Sequence, residues 1–341
     1  MGLGRIKGGV GTALLAAALL AGVSGCGGDA KASSSGGGAS AQAAGASASA
    51  GASGSSASAS AKPSPTHPSG PPMLLDSITP GKDSTVGVAM PISVVFSNAV
   101  ATSARANIEK HLKVYSSTPV TGAWHWFSAT RVDFRPENYW QPGTKVRIVA
   151  DMTDVPDGNG RYGTKTYTHD FTIGDDISAT VSVKGHTMKV YKGGSLLRTL
   201  KIDAGSPDFP SWDGTMAVIG KAPEVRMTSC SVGITCDKSN PNFYDLTLPW
   251  DVQLTYSGTY VHYSTGDPYP GHSYGSHGCV HLSLADAKWF YNLVKQGDPI
   301  TITGSPRGKA AADNGYAAYD DTWSKWLSNS SAGAVTTSAL S

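Results

Sequence analysis

The chain turns on Gly275-Ser276-His277-Gly278-Cys279-Val280-His281-Leu282, with His262 seventeen residues before the cysteine. A single cysteine stands among glycines and histidines, and a helix pattern follows at once. A thiolate is the nucleophilic form of cysteine, and a nearby imidazole is the usual means of producing it near neutral pH. His277 and Cys279 are two residues apart, so in an extended strand they would face the same way. Gly278 between them leaves room for a peptide and exposes backbone N–H groups, and donors of that kind stabilise a developing oxyanion.

The flanking pattern places this stretch between strand and helix. Ser283-Leu284-Ala285-Asp286 reads as an N-cap with an acid at the third helical position. Leu284, Ala287, Phe290/Tyr291 and Val294 then form an apolar stripe, with Lys295 in the last turn and Gly297 as the stop. His262 falls on a separate alternating strand, Tyr256–Tyr263, suited to run beside the cysteine segment. Upstream, Thr180–Lys184 and Met188–Tyr191 flank Gly185-His186 as a hairpin, and Lys192-Gly193-Gly194 turns into Leu196–Ile202. Residues 177–304 therefore read as a β-rich catalytic domain with one clear helix.

A second β region precedes it. Ile92/Val94/Phe96, Trp124/Trp126, Val132/Phe134 and Val146/Ile148 alternate, with turn signals such as Gln141-Pro142-Gly143 and Asp157-Gly158-Asn159-Gly160 between them. Short strands at this spacing over residues 73–174 predict an immunoglobulin-like β-sandwich. Ala101–His111 reads as one or two helical turns. His111, His125 and His169 have no partner at ligand or triad spacing and read as structural. The fold class is thus mainly β.

Residues 1–26 carry Arg5 and Lys7, an apolar run from Val10 to Val23, and then Val23-Ser24-Gly25-Cys26. This reads as a lipoprotein signal in which Cys26 is acylated and anchors the chain to a membrane from outside. Ordinary secretion with an incidental Cys26 is the alternative. Residues 27–72 are almost wholly Ala, Ser, Gly and Pro, too apolar-poor for a core, and read as a disordered tether. As a random coil it spans roughly 35–40 Å. In an oxidising exterior, Cys230 and Cys236 are expected to pair as a disulfide worth roughly 2 kcal/mol; two free buried thiols are the alternative. The Trp323–Leu327 stretch of the 305–341 extension is expected to dock near the domain junction, and the last dozen residues to be disordered.

Lys and Arg number 27 against 25 Asp and Glu, a net charge of +2, so nothing here argues for nucleic acid. No phosphate-binding glycine loop is present, and no cofactor is called for.

His262, Ser276-His277-Gly278-Cys279, Leu282 and the Asp286-Ala287 helix resemble the L,D-transpeptidases of bacterial peptidoglycan. The segment ending His169-Asp170-Phe171-Thr172-Ile173-Gly174 resembles the immunoglobulin-like domain of actinobacterial members. The resemblance implies Cys279 as nucleophile and His262 as proton donor and acceptor, with the Tyr263 carbonyl holding the His262 ring. It implies His277 in support, Gly278 and Cys279 N–H groups as the oxyanion hole, and Tyr244, Ser257, Gly258 and Ser276 on the substrate side. The implied reaction removes the terminal D-Ala of a tetrapeptide stem and forms a 3→3 cross-link through a thioester, and carbapenems are implied as inhibitors. His281 stands where the family usually has Arg or Asn, a position that helps hold substrate. Three other readings stay open: zinc held by His262, His277, Cys279 and His281; an L,D-carboxypeptidase using the same thioester; and a wall-binding lipoprotein with a dead site.

Overall fold

The computed structural model describes residues 67–340. Cys26, the export signal and residues 27–66 of the tether lie outside the described residues. The chain already lies along the sandwich at His67, whose Nδ1 is 3.0 Å from an Asp154 carboxylate oxygen. Pro72–Met73 then pairs in parallel with Tyr162–Gly163.

The first domain is two five-stranded sheets. One runs Leu75–Thr79, Ile92–Phe96, Arg131–Pro136, Thr121–Trp126 and Ala334–Thr336 in spatial order. The other runs Ser338–Ala339, Leu112–Ser116, Lys145–Asp151, Thr166–Ile173 and Ser84–Val86. The alternating residues Ile92, Val94, Phe96, Trp124, Phe134, Val146 and Ile148 are all buried between them. Helix α1, Thr102–His111, bridges two strands and is longer than the one or two turns expected. Its buried Ala104 and Ile108, four residues apart, anchor it to the core.

Residues 330–340 of the last dozen are ordered, contrary to expectation. Ala334–Thr336 and Ser338–Ala339 each add an edge strand to one of the two sheets. Thr337 between them bonds Ser116 Oγ at 2.6 Å and the Val120 N–H at 3.0 Å through its hydroxyl. Open sheet edges offer unpaired backbone groups, so even a short polar segment gains pairing there. Helix α3, Trp323–Ser328, docks on the sandwich itself: Trp326 is fully buried, stacks on His125 at 4.4 Å and lies beside the Arg135 guanidinium at 5.0 Å.

The second domain holds a five-stranded sheet, Ser195–Lys201, Thr187–Lys192, Ile177–Ser182, Pro299–Thr303 and Gly214–Ala217. A four-stranded sheet, Gly220–Thr228, Asp245–Gln253, Tyr260–Tyr263 and Val280–Leu282, holds His262 and His281. Helix α2, Leu284–Leu293, is capped as expected: Ser283 Oγ accepts from the Asp286 N–H. It ends four residues before Gly297, with Val294 extended, so Lys295 lies beyond it. There its amine bonds the Asp298 carboxylate at 2.8 Å. Ala287, Phe290 and Val294 face the core, whereas Leu284 is half exposed.

Candidate active site

The His262 strand is shorter than its alternation suggested, because Ser257-Gly258 turn the chain first, with Gly258 at φ 93°. Tyr260–Tyr263 runs parallel to Val280–Leu282, with His262 opposite His281. Cys279 therefore enters at the head of the strand beside the His262 strand. His277 and Cys279 do not share one extended strand: Gly278 adopts φ 113°, which breaks the segment into Tyr274–Ser276 and Val280–Leu282. A side chain at 278 would meet only ordinary contacts, so the conformation rather than space calls for glycine. Ser276 holds the turn, donating to the Cys279 carbonyl at 2.7 Å and accepting from the Gly278 N–H at 3.1 Å.

One cavity of about 810 Å³ is lined by Cys279, His262, His277, His281, Ser276, Tyr244, Ser257 and Gly258. The Tyr263 carbonyl accepts from His262 Nδ1 at 2.8 Å, which leaves Nε2 as the basic nitrogen. Burial, then the neighbouring His281, lowers His262 to about 3, against the opposing Tyr263 bond. The imidazole is thus neutral at physiological pH. Burial likewise pushes the Cys279 thiol up to about 12, partly offset by the Tyr260 backbone. Its Sγ donates to the Gly258 carbonyl at 3.6 Å rather than to an imidazole. The cavity thus presents a neutral thiol and a neutral imidazole.

His277 sits between two rings, 4.8 Å from Phe209 and 5.0 Å from Tyr244, and burial lowers its pKa. Tyr244 is raised to about 12 by burial and by the nearby cysteine, so its phenol stays a donor. Ser257 accepts from Trp212 Nε1 at 3.1 Å and from Asn314 Nδ2 at 2.8 Å. Cys230 and Cys236 form a disulfide, Cα atoms 4.5 Å apart, in the loop that roofs the cavity. A Cβ on Gly258 would fall 2.6 Å from Val232 of that loop, so the loop rests directly on the Ser257-Gly258 turn.

Two carboxylates escaped the sequence reading. Asp267 Oδ2 lies 3.0 Å from His281 Nδ1. Buried Asp203 accepts from the backbone N–H groups of Gly271, His272 and Ser273 at 3.1, 2.9 and 2.6 Å, and from Ser273 Oγ at 2.9 Å. Burial raises such a carboxyl, but these donors prevail and hold Asp203 at about 2. Neither position carries a local spacing signal; both arrive by tertiary folding. Among the described residues, no group of three or more His, Cys, Asp or Glu converges as a metal site would require.

Residues 176–302 match the family described as "L,D-transpeptidase catalytic domain", and residues 43–156 match "Bacterial Ig domain". The chain is 31% identical over 252 residues to L,D-transpeptidase 2 of Mycobacterium tuberculosis (strain CDC 1551 / Oshkosh), covering 73% of this chain and 60% of that relative's length. It is 32% identical over 232 residues to L,D-transpeptidase 1 of the same species (strain ATCC 25618 / H37Rv), covering 67% and 84%. Among solved structures, LD transpeptidase LdtMt1 in complex with imipenem superposes with a TM-score of 0.58 at 30% identity, covering 68% of this chain and 99% of that one. With both of its domains matched and a relative aligned over most of its length, the chain belongs to the L,D-transpeptidase family.

Proposed function

We propose that the protein is a peptidoglycan L,D-transpeptidase that forms 3→3 cross-links through a thioester on Cys279. The observation that carries this reading is that the Cys279 thiol and the His262 ring line one cavity, with the His262 Nδ1 proton committed to the Tyr263 carbonyl, so that Nε2 is free to take a proton.

As Cys279 attacks the L-centre carbonyl of the third stem residue, its proton passes to His262 Nε2 and the S–C bond forms. The tetrahedral oxyanion needs donors. The Gly278 N–H is already given to Ser276, so the Cys279 N–H and the Tyr244 phenol are assigned this work, with His277 packed beside the phenol. The imidazolium then protonates the leaving amine of D-Ala as the C–N bond breaks. An acceptor amine from a neighbouring stem attacks the thioester and gives its proton to His262, the C–S bond breaks, and the departing sulfur takes that proton back from His262 to restore the thiol. Ser257, Gly258, Ser276 and His281 shape the donor groove. The disulfide fits an oxidising, extracytoplasmic compartment. Membrane anchoring through acylated Cys26 is part of the same proposal.

A relative's structure holds imipenem, and we expect carbapenems to acylate Cys279 here. Intact-protein mass after carbapenem exposure tests this: the wild type gains one adduct and Cys279→Ala none. Incubation with a stem tetrapeptide then separates outcomes by mass: a dimer supports cross-linking, tripeptide alone supports an L,D-carboxypeptidase, and unchanged substrate with no adduct supports a wall-binding protein. Full activity after EDTA treatment is expected; loss restored by zinc would overturn the thiol mechanism.

A further inference from the structure

Four charged side chains line the catalytic cavity: Asp208, Arg226, Asp267 and Arg307. Arg226 is paired with Asp245 at 2.7 Å, and Asp267 with His281 at 3.0 Å. Among the described residues, Arg307 and Asp208 have no ion-pair partner, and Asp208 does not reach the guanidinium.

Arg307 belongs to the C-terminal extension, beyond the residues matched to the catalytic family. Its loop is fastened on both sides. Ser305 Oγ donates to the Ser211 carbonyl, the Asp213 N–H donates to the Gly308 carbonyl at 2.8 Å, and the Ala310 N–H to the Asp213 carbonyl at 3.2 Å. The guanidinium lies over the Trp212 ring at 3.8 Å, and Nη1 donates to the Pro210 carbonyl at 3.3 Å. Trp212 in turn donates to Ser257, so the arginine and the substrate-side turn share one support. Nη1 is 3.6 Å from where a Cβ on Gly278 would sit. A planar cation is thus held beside the residue next to the nucleophile, with most of its N–H donors uncommitted. That is the arrangement that recognises a carboxylate.

A donor stem offers one close to the attacked carbonyl. The free carboxylate of its terminal D-residue lies one residue, about 3.8 Å, from the attacked carbonyl. We propose that Arg307 binds this carboxylate and makes the enzyme select stems whose terminal D-residue is unblocked. The inference rests on the transpeptidase reading above and adds its specificity determinant.

The test compares a stem tetrapeptide ending in D-alanine with the same peptide ending in D-alaninamide, following release of the terminal residue by mass spectrometry. The wild type is expected to favour the free acid in kcat/KM by about tenfold or more. Arg307→Gln is expected to bring the two within about twofold, and Arg307→Lys to fall between. Melting temperature should be kept in both variants, because Arg307 is exposed. Equal use of acid and amide by the wild type, or an unchanged ratio in Arg307→Gln, overturns the proposal. Release from neither peptide by the wild type would remove the transpeptidase reading, and this inference with it.

Discussion

His262 and His281 stand edge to face on two neighbouring parallel strands, their ring centroids 5.0 Å apart. The contact has an electrostatic sense. Burial holds His281 at about 4 in spite of Asp203, so it is neutral at pH 7 and gives its Nδ1 proton to Asp267. A cation at this distance would make His262 a weaker proton acceptor. His281→Asn keeps a neutral donor for Asp267, and its kcat/KM on a stem tetrapeptide is expected to stay within about tenfold of wild type. Asp267→Ala leaves the buried imidazole proton without an acceptor. It is expected to cost about 1–3 kcal/mol of stability in denaturant melts. Complete loss of activity in His281→Asn would show that the ring itself takes part in the reaction.

Thiol reactivity should follow pH in an unusual way for a cysteine enzyme. With Cys279 pushed up to about 12 and His262 neutral above about 3, no thiolate–imidazolium pair forms in the free protein. Alkylation of Cys279 by iodoacetamide is therefore expected to rise about tenfold per pH unit between pH 6 and 9, without a plateau. A plateau across that range would mean that the ion pair exists before substrate binds.

Much of this site was legible because its central motif is local. Cys279, His277 and the Ser283 cap lie within a few residues of one another, and the alternation around Val261 announced the partner strand. What the sequence hid was tertiary. Gly278 looked like a spacer in a strand, but its left-handed conformation ends the strand and turns Ser276 back on the cysteine. Asp203 reaches its loop from about seventy residues away, and Arg307 and Asn314 arrive from an extension with no catalytic signature. The two C-terminal strands carry too few residues to show a period, and the sheet edges that receive them supply the order.

Asp203 is expected to govern acid stability and to position the loop before Cys279. Its folded pKa of about 2 lies below the ordinary carboxylate value of 3.8. Its stabilising effect is therefore full above about pH 4 and fades as pH falls toward 2. Asp203→Ala frees the N–H groups of Gly271, His272 and Ser273 at once. Carbapenem acylation should slow by about tenfold or more, because the loop leads directly into Tyr274–Ser276. Stopped-flow acylation rates, with melts between pH 2 and 6, check both parts. Wild-type acylation in the variant would limit Asp203 to a purely structural role.

Asp251 acts with the opposite sign. It is fully buried, and neither carboxyl oxygen has a hydrogen-bond partner. Burial raises it to about 7, opposed by the Val225 backbone N–H, whose geometry falls short of a bond, and reinforced by Glu224. The folded protein therefore holds a proton that the unfolded chain releases near pH 4. This contribution to stability is full below about pH 4 and is lost as pH rises through 7. A shift of about three pH units corresponds to roughly 4 kcal/mol as an upper bound, since water entering the site would reduce it. Asp251→Asn removes the ionisation and keeps the shape. The variant is expected to gain stability over wild type at pH 8, and the gain should vanish near pH 4. Denaturant melts at the two pH values measure this, and equal differences at both would mean that the carboxyl does not titrate on folding. The same change removes a negative charge that raises the Cys279 thiol, so alkylation of Cys279 at pH 8 should quicken in step.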